Sequence, residues 1–399
     1  MQSVAQGWLM HRLTDSLLML GLLGAAQFLP VLMFSLWAVV IADRIDKRKM
    51  IIVTQTAALV QAAALALAVT LGVVTPSMVL ALAFVYGIIN AFDLPARQSF
   101  VSELVPKSEL GNAIALNSAA FNMARIAGPA AAGILLATIG EGGCFWINAV
   151  SFIAVLWGLA LMKMPPRVAG NPPNGADGAD VEVATTGLAS IREGIRYANS
   201  VPQIRNLLLL LGGVAAFGFQ YMVLLPVYAR DILQTGPQGY GLLVSAFGLG
   251  SLLSAVIMTR QLSRGDLRRN LLIGLFTAAV GMGVFASSRS LPLTAAMGFI
   301  AGFGLILYVA STNTLLQITT DDRYRGRVMS LYTVMFIGTA PLGSLTSGSV
   351  AERFGAPVAT TGSAVVLLLG AGWVFWRLRV LASREAPTPT EQAPVGRSA

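Results

Sequence analysis

The chain has 399 residues, of which 55% are hydrophobic and only 11% charged. A soluble globular domain carries about 25% charged residues, so that class is excluded. The net charge of +9 then belongs to the basic loops of a polytopic membrane protein, not to a nucleic-acid interface. Cys144 and His11 are single: an internal disulfide framework is excluded, and a metal centre or histidine-based catalysis is not expected.

Residues 1–10 form a half-length apolar segment that ends at His11 and Arg12. Spanning a bilayer takes about 20 residues, so the expectation is a stub of a first helix whose start lies upstream. No basic segment precedes this run, as one would in a signal peptide. Residues 17–42, 50–74, 77–94, 112–139 and 144–163 each read as a complete span. Residues 165–187 are rich in Pro, Gly and Asp, cannot build a core, and read as a linker. Over 188–199, Leu188, Ile191 and Ile195 share a helical face beside Arg192 and Arg196, the pattern of a helix lying on a membrane surface. Six further spans follow, at 207–229, 241–259, 271–287, 291–316, 328–350 and 358–380, and then a polar tail expected to be disordered. The organisation is an all-α polytopic membrane protein. It has an N-terminal transmembrane half (1–164), a linker with a surface helix (165–203), a C-terminal transmembrane half (204–381) and a tail (382–399), with eleven full spans plus the stub.

Charge sets the expected topology. The loops beginning at Asp43, Ala96, Lys163, Arg260 and Thr319, with the tail, hold 22 of the 27 Lys and Arg. The opposite side holds Arg12, Arg230, Arg289 and Arg353. Basic loops stay in the cytoplasm, which puts the linker and the C-terminus there. An internal repeat agrees. Gly111, Leu116, Phe121, Gly128, Gly133 and Gly140 recur as Gly326, Leu331, Phe336, Gly343, Gly348 and Gly355, each 215 positions later. Two halves in the same orientation are parallel repeats about an axis along the membrane normal.

Residues 123–133 concentrate unusual chemistry. Arg125 places a permanent cation within an otherwise uncharged span. Pro129 lacks the N–H that would satisfy the Arg125 carbonyl, and Gly128, Ala132 and Gly133 allow close approach of another backbone. Arg125 therefore faces either a cavity or the carbonyls of a neighbouring helix; both readings stay open. Asn117, Phe121 and Arg125 share a face at spacing four. Asn90, Asn122, Gln220, Tyr221, Tyr308, Asn313 and Tyr332 are further polar candidates for a cavity, or polar ties between helices. Asp93 is a carboxylate near a span interior, either a proton carrier or a partner for Arg97 four residues on.

ADRIDKRKM, at 42–50, resembles the loop G-x-L-A-D-R-x-G-R-[RK] of the major facilitator superfamily. FDLPARQSFVSELVP, NAIALNSAAFNMARIAGPAAAG and GRVMSLYTVMFIGTAPLGS are similar to the branch containing the enterobactin exporters and related drug-efflux proteins. Val39 and Asp46 stand where the loop motif has glycines, and Ala132 departs from the antiporter pattern G-P-x-x-G-G. The resemblance implies the major facilitator fold and a charge network that latches the cytoplasmic gate. Asp43, Arg44, Lys47 and Arg48 match its loop, with Arg97 the nearest partner for Asp43. The basic residues also serve topology alone. Gly128, Pro129, Gly133, Gly343 and Gly348 are expected at helix bends and crossings.

The function so implied is secondary active export of an organic small molecule, siderophore- or drug-like, by alternating access. No G-x-x-x-x-G-K-[ST] is present, so ATP is not the direct driver, and a proton gradient is expected in its place. An uptake permease or lipid translocator on the same fold, and a non-transporting fragment, are the alternatives. No enzyme activity and no cofactor are expected. The expected partners are the organic substrate and the bilayer of a bacterial inner membrane, without nucleic acid, around a monomer.

Overall fold

A computed structural model describes residues 1–162, 188–261 and 266–385. The linker expected at 165–187, the Arg264 loop and the tail from 386 lie outside the described residues. Fourteen helices are described: α1 (Gln2–Thr14), α2 (Leu17–Arg44), α3 (Lys47–Thr70), α4 (Pro76–Leu104), α5 (Leu110–Leu161), α6 (Leu188–Ser200), α7 (Pro202–Gly218), α8 (Tyr221–Val227), α9 (Gly236–Gln261), α10 (Leu267–Ser287), α11 (Leu291–Thr319), α12 (Asp322–Gly338), α13 (Ala340–Phe354) and α14 (Ala356–Glu385). Among the described residues, ten segments are long and apolar enough to cross a membrane.

Helix starts follow from capping chemistry. Ser16, Asp46, Thr75 and Asp266 precede α2, α3, α4 and α10, and each side chain accepts a backbone N–H of the first turn, at 3.3, 3.1, 3.3 and 3.0 Å. Such caps satisfy donors that the helix itself leaves bare. Asp46, where the loop motif has glycine, is therefore the cap of α3.

The long α5 is two limbs. Gly140 has φ 70° and ψ −177°, a conformation essentially restricted to glycine. Beyond it the chain turns back: the Cys144 thiol lies 3.9 Å from the Ala132 carbonyl, whereas twelve residues of continuous helix span about 18 Å. The second limb runs antiparallel to α3. Trp146 bonds Thr70 at one end of α3, and Arg48 reaches the Leu159 carbonyl at the other, at 2.6 Å. Counting both limbs, α5 supplies two crossings and α1 is the short rod. Gly355, the repeat partner of Gly140, has φ 88° and joins α13 to α14 at the equivalent turn.

Two spans that read as continuous are broken. The expected 207–229 span divides at Phe219–Gln220 into α7 and α8, then closes in a π turn over Tyr228–Ile232. The expected 328–350 span divides at Thr339 into α12 and α13. Pro341 in the first turn of α13 cannot continue the α12 hydrogen-bond ladder, and Pro226 leaves α8 short of a donor before the π turn.

Helices α1–α5 form one half and α7–α14 the other. They cross at two glycine pairs. A Cβ on Gly133 would fall 2.0 Å from the Gly241 Cα, and one on Gly348 2.8 Å from the Gly21 Cα. Bare backbones pack tightly at such points because lipid gives helices no hydrophobic drive to associate. Gly133 and Gly348 are repeat partners, so one position of the repeat serves both crossings. Both lie toward the end of the bundle where α1 turns into α2, here the Asp15 end; the basic loops mark the Asp46 end.

The helix expected at a membrane surface, α6, packs on α12. Tyr197 of α6 stacks on Tyr324 of α12 with ring centroids 4.1 Å apart, and Glu193 pairs with Arg327 at 3.0 Å. Arg192, Ile195 and Arg196 point outward.

Candidate functional site

A cavity of about 470 Å³ lies between the halves at mid-bundle. This is within the range of small-molecule sites. One wall comes from the start of α1 (Ser3, Val4, Gly7) and from Gln27 and Phe28 of α2; the other comes from the two helix breaks, with Phe219 and Gln220 at one and Phe336, Ile337, Ala340 and Ser344 at the other. Tyr240 and Val244 of α9 and Ala124 of α5 complete it. The described lining is mostly apolar and aromatic, with amides and hydroxyls among its polar groups.

Those polar groups are tied in pairs. Gln27 donates to Gln6 at 3.1 Å, and Ser344 donates to Gln220 at 2.9 Å. Gln6 is fully buried and its amide nitrogen has no partner among the described residues. The Gln27 and Gln220 amides of the lining, beside aromatic rings, can hold a polar group of a mostly apolar ligand.

The Asp15 end is locked across the halves. His11 of α1 meets Asp231 of the π turn at 2.7 Å. Arg230 reaches Asp15 at 2.7 Å and the His11 carbonyl at 3.0 Å. Glu352 of α13 accepts the Leu17 and Leu18 N–H groups at 2.6 and 3.1 Å, capping α2 from the opposite half. An acceptor there also complements the α2 dipole. Trp8 stacks on Tyr240 between this lock and the cavity, with centroids 5.7 Å apart.

The residues expected from sequence fall in several places. Asp43, Arg44, Phe121, Arg125 and Pro129 stand on helical backbone, but their side chains lie outside the described residues. Asp93 is buried and accepts from Thr54 at 2.7 Å, Gln55 at 2.8 Å and Arg97 at 2.8 and 3.1 Å. It ties α4 to α3 within one half. Arg48 caps the end of α5 through the Leu159 and Ala160 carbonyls; Lys47 opens α3. Asn90 bonds the Tyr86 carbonyl one turn back, and Asn313 accepts from Gln317. Asn117 is exposed on α5. Tyr308 is fully buried in the C-terminal half. Gly343 packs on α7, where an added Cβ would fall 1.9 Å from the Ala216 carbonyl oxygen; Gly128 lies near the Met1 nitrogen. Of the named polar candidates Gln220 lines the cavity, while Gln27 and Ser344 were not singled out, although a glutamine within an apolar span is a signal of the same kind.

Comparison with known proteins places this arrangement. Residues 1–395 match the family described as transmembrane secretion effector. The chain is 28% identical over 390 residues to the multidrug efflux pump Tap of Mycolicibacterium fortuitum, covering 95% of this chain and 92% of that one. It is 24% identical over 355 residues to the staphyloferrin A transporter of Staphylococcus aureus, covering 88% and 85%. Among solved structures, a bacterial homologue of the human lysosomal transporter Spinster, in an inward-facing, unoccupied conformation, superposes with a TM-score of 0.73 at 18% identity, over 97% of this chain and 96% of that one. The nucleoside transporter NupG gives 0.66 at 12% identity, over 97% and 98%. These are membrane transporters, not enzymes, and the chain belongs to the transmembrane secretion effector family of the major facilitator superfamily.

Proposed function

We propose that this protein is a proton-driven exporter of an amphipathic organic molecule that works by alternating access. The observation that carries this reading is the cavity: a chamber between two halves that are locked together at one end, with its polar groups set at helix breaks. Discontinuous helices at mid-membrane are where transporter sites form. The efflux and siderophore activities named for the relatives support export of a small molecule; the lining supports a ligand that offers aromatic or apolar surface and a few hydrogen-bonding groups. On the charge rule the Asp46 end, the linker and the C-terminus are cytoplasmic in a bacterial inner membrane, so the Asp15 end is external and the described state faces inward. Asp43 and Arg44 are then the proposed cytoplasmic gate, which closes when the external lock opens. Arg125, one residue after the cavity-lining Ala124, is the proposed cation for an anionic part of the substrate. The protein acts as a monomer.

The test is flux in everted membrane vesicles. Tetracycline, chosen as an aromatic amphipathic probe, should accumulate inside when the lumen is acid and leave when a protonophore collapses the gradient. Accumulation only in right-side-out vesicles would turn the reading to an uptake permease. Movement that follows added ATP and ignores the gradient would end it.

A further inference from the structure

The outward face of α6 belongs neither to the cavity nor to the crossings between the halves. At 3.6 residues per turn, Arg192, Ile195, Arg196 and Asn199 fall within one stripe about 100° wide. All four are exposed. The opposite face is taken up by the protein. A Cβ added to the buried Gly194 would meet the Arg327 Cβ at 3.2 Å. Tyr197 stacks on Tyr324, and Ala198 packs with Ile204, Leu208, Val328 and Leu331 in a core shared with α7 and α12. We infer that the outward stripe of α6 binds the headgroup of an anionic phospholipid, with Arg192 and Arg196 on the phosphate and Ile195 among the upper acyl carbons.

Position supports this occupant. Helix α6 leads through Val201 into α7, where the membrane-crossing stretch Pro202–Ile232 begins. It also packs on the first turns of α12, where the stretch Asp322–Phe354 begins. A helix held beside the starts of two spans lies at headgroup level. The Tyr197–Tyr324 pair suits that level, where rings with a polar tip collect.

Charge points the same way. Arg192 and Arg196 stand one turn apart on one face, with no partner among the described residues. Like charges at that spacing repel. The nearby carboxylates Glu193 and Asp322 are engaged, by Arg327 at 3.0 Å and by Arg325. Asp321 precedes α12 and donates its N–H to the Tyr197 hydroxyl at 3.2 Å. Arg323, 5.8 Å from the centre of the Tyr324 ring, adds a further cation beside the pair. An anion from outside the chain relieves this repulsion, and a guanidinium fork matches phosphate oxygens. Ile195, 46% exposed between the two arginines, selects among anions. A soluble anion would leave it in water. A phospholipid answers the arginines and gives Ile195 an apolar surrounding, as in helices that lie in a membrane interface.

Helix α12 runs from this site to the cavity, which it lines with Phe336 and Ile337. A headgroup that holds α6 therefore also holds the starting end of a cavity-forming helix, through the tyrosine stack and the Glu193–Arg327 pair. The site stands apart from the cavity and depends on neither the direction nor the driving force of transport.

The test measures lipid selectivity at α6 itself. The full chain carries Cys144→Ala and Asn199→Cys, with a bimane fluorophore on the new thiol, and is reconstituted in phosphatidylcholine vesicles. Phosphatidylglycerol or phosphatidylcholine bearing a nitroxide near the top of one acyl chain is added at equal mole fraction. Quenching by phosphatidylglycerol should be the stronger. The ratio of the two lipids' binding constants should fall about fivefold in Arg192→Gln and in Arg196→Gln taken singly, since each arginine near an anionic surface contributes about that factor. In the double variant it should approach parity. Arg268→Gln with Arg269→Gln removes the same charge at the start of α10 and should leave the ratio unchanged. Equal quenching by both lipids in the parent, quenching by neither, or a ratio that survives in the α6 variants would overturn the inference. So would an equal loss in the α10 variant, because general surface charge would then explain the preference.

Discussion

Asp93 shows how a carboxylate inside a span can be fully occupied by structure. Its oxygens accept from Thr54, Gln55 and Arg97, so Asp93→Ala would strand the buried Thr54 and Gln55 donors of α3 and free the half-exposed Arg97 of α4. The expected loss is about 1–3 kcal/mol, held toward the lower part because Arg97 is half exposed; thermal unfolding in detergent measures it. Transport per folded molecule should survive. Loss of transport with unchanged stability would return Asp93 to the coupling pathway. Gln220→Leu should behave in the opposite way. It removes an amide of the cavity wall that can bond the probe, so probe affinity should fall by roughly tenfold, for one lost hydrogen bond of about 1 kcal/mol or slightly more, beyond a modest stability loss from stranding the buried Ser344 hydroxyl. Equilibrium binding to purified protein decides the case. Asp43→Asn, at the proposed internal gate, should abolish flux with normal membrane insertion, and normal flux in that variant would dismiss the gate role.

At the scale of elements, helix periodicity and hydropathy made the spans readable, because lipid demands long apolar helices with every backbone group satisfied. The parallel repeat was readable too: Gly133 and Gly348 sit at equivalent crossings, and Gly140 and Gly355 at equivalent turns. The breaks in 207–229 and 328–350 were not foreseen. Proline in a membrane helix is tolerated wherever neighbours re-satisfy the freed carbonyl, so Pro226 and Pro341 alone do not announce an interruption. The lock at the Asp15 end was invisible for a different reason. Its partners, His11 with Asp231 and Asp15 with Arg230, are more than 200 positions apart, and no local pattern links them. The crossings themselves are testable. Gly133→Val would drive a side chain into Gly241, so the halves could not close at the Asp15 end. The protein should insert and fold, transport should fall to background, and the Asp15 end should become more reactive to a membrane-impermeant thiol reagent at Ser290→Cys in a Cys144→Ala background. Wild-type flux in Gly133→Val would mean that this crossing is not closed during the cycle.

For the whole molecule, the proposed transport cycle requires two halves that part at one end while they meet at the other. Bistability of this kind arises because packed interfaces switch between discrete arrangements and do not deform continuously. The lock at the Asp15 end consists of a few polar contacts around bare glycine crossings, the kind of closure that the proposed cycle needs to make and break. Cross-linking tests this most directly. In a Cys144→Ala background, Ser16→Cys and Glu352→Cys place thiols on opposite halves at positions whose side chains now touch at 3.2 Å. Joining them with a short bifunctional thiol reagent should stop probe flux in vesicles, and a cleavable version of the reagent should restore it on reduction, while either single cysteine is unaffected. Cross-linked protein that transports as fast as the unlinked double variant would contradict the proposed cycle, because the Asp15 end would then never need to open.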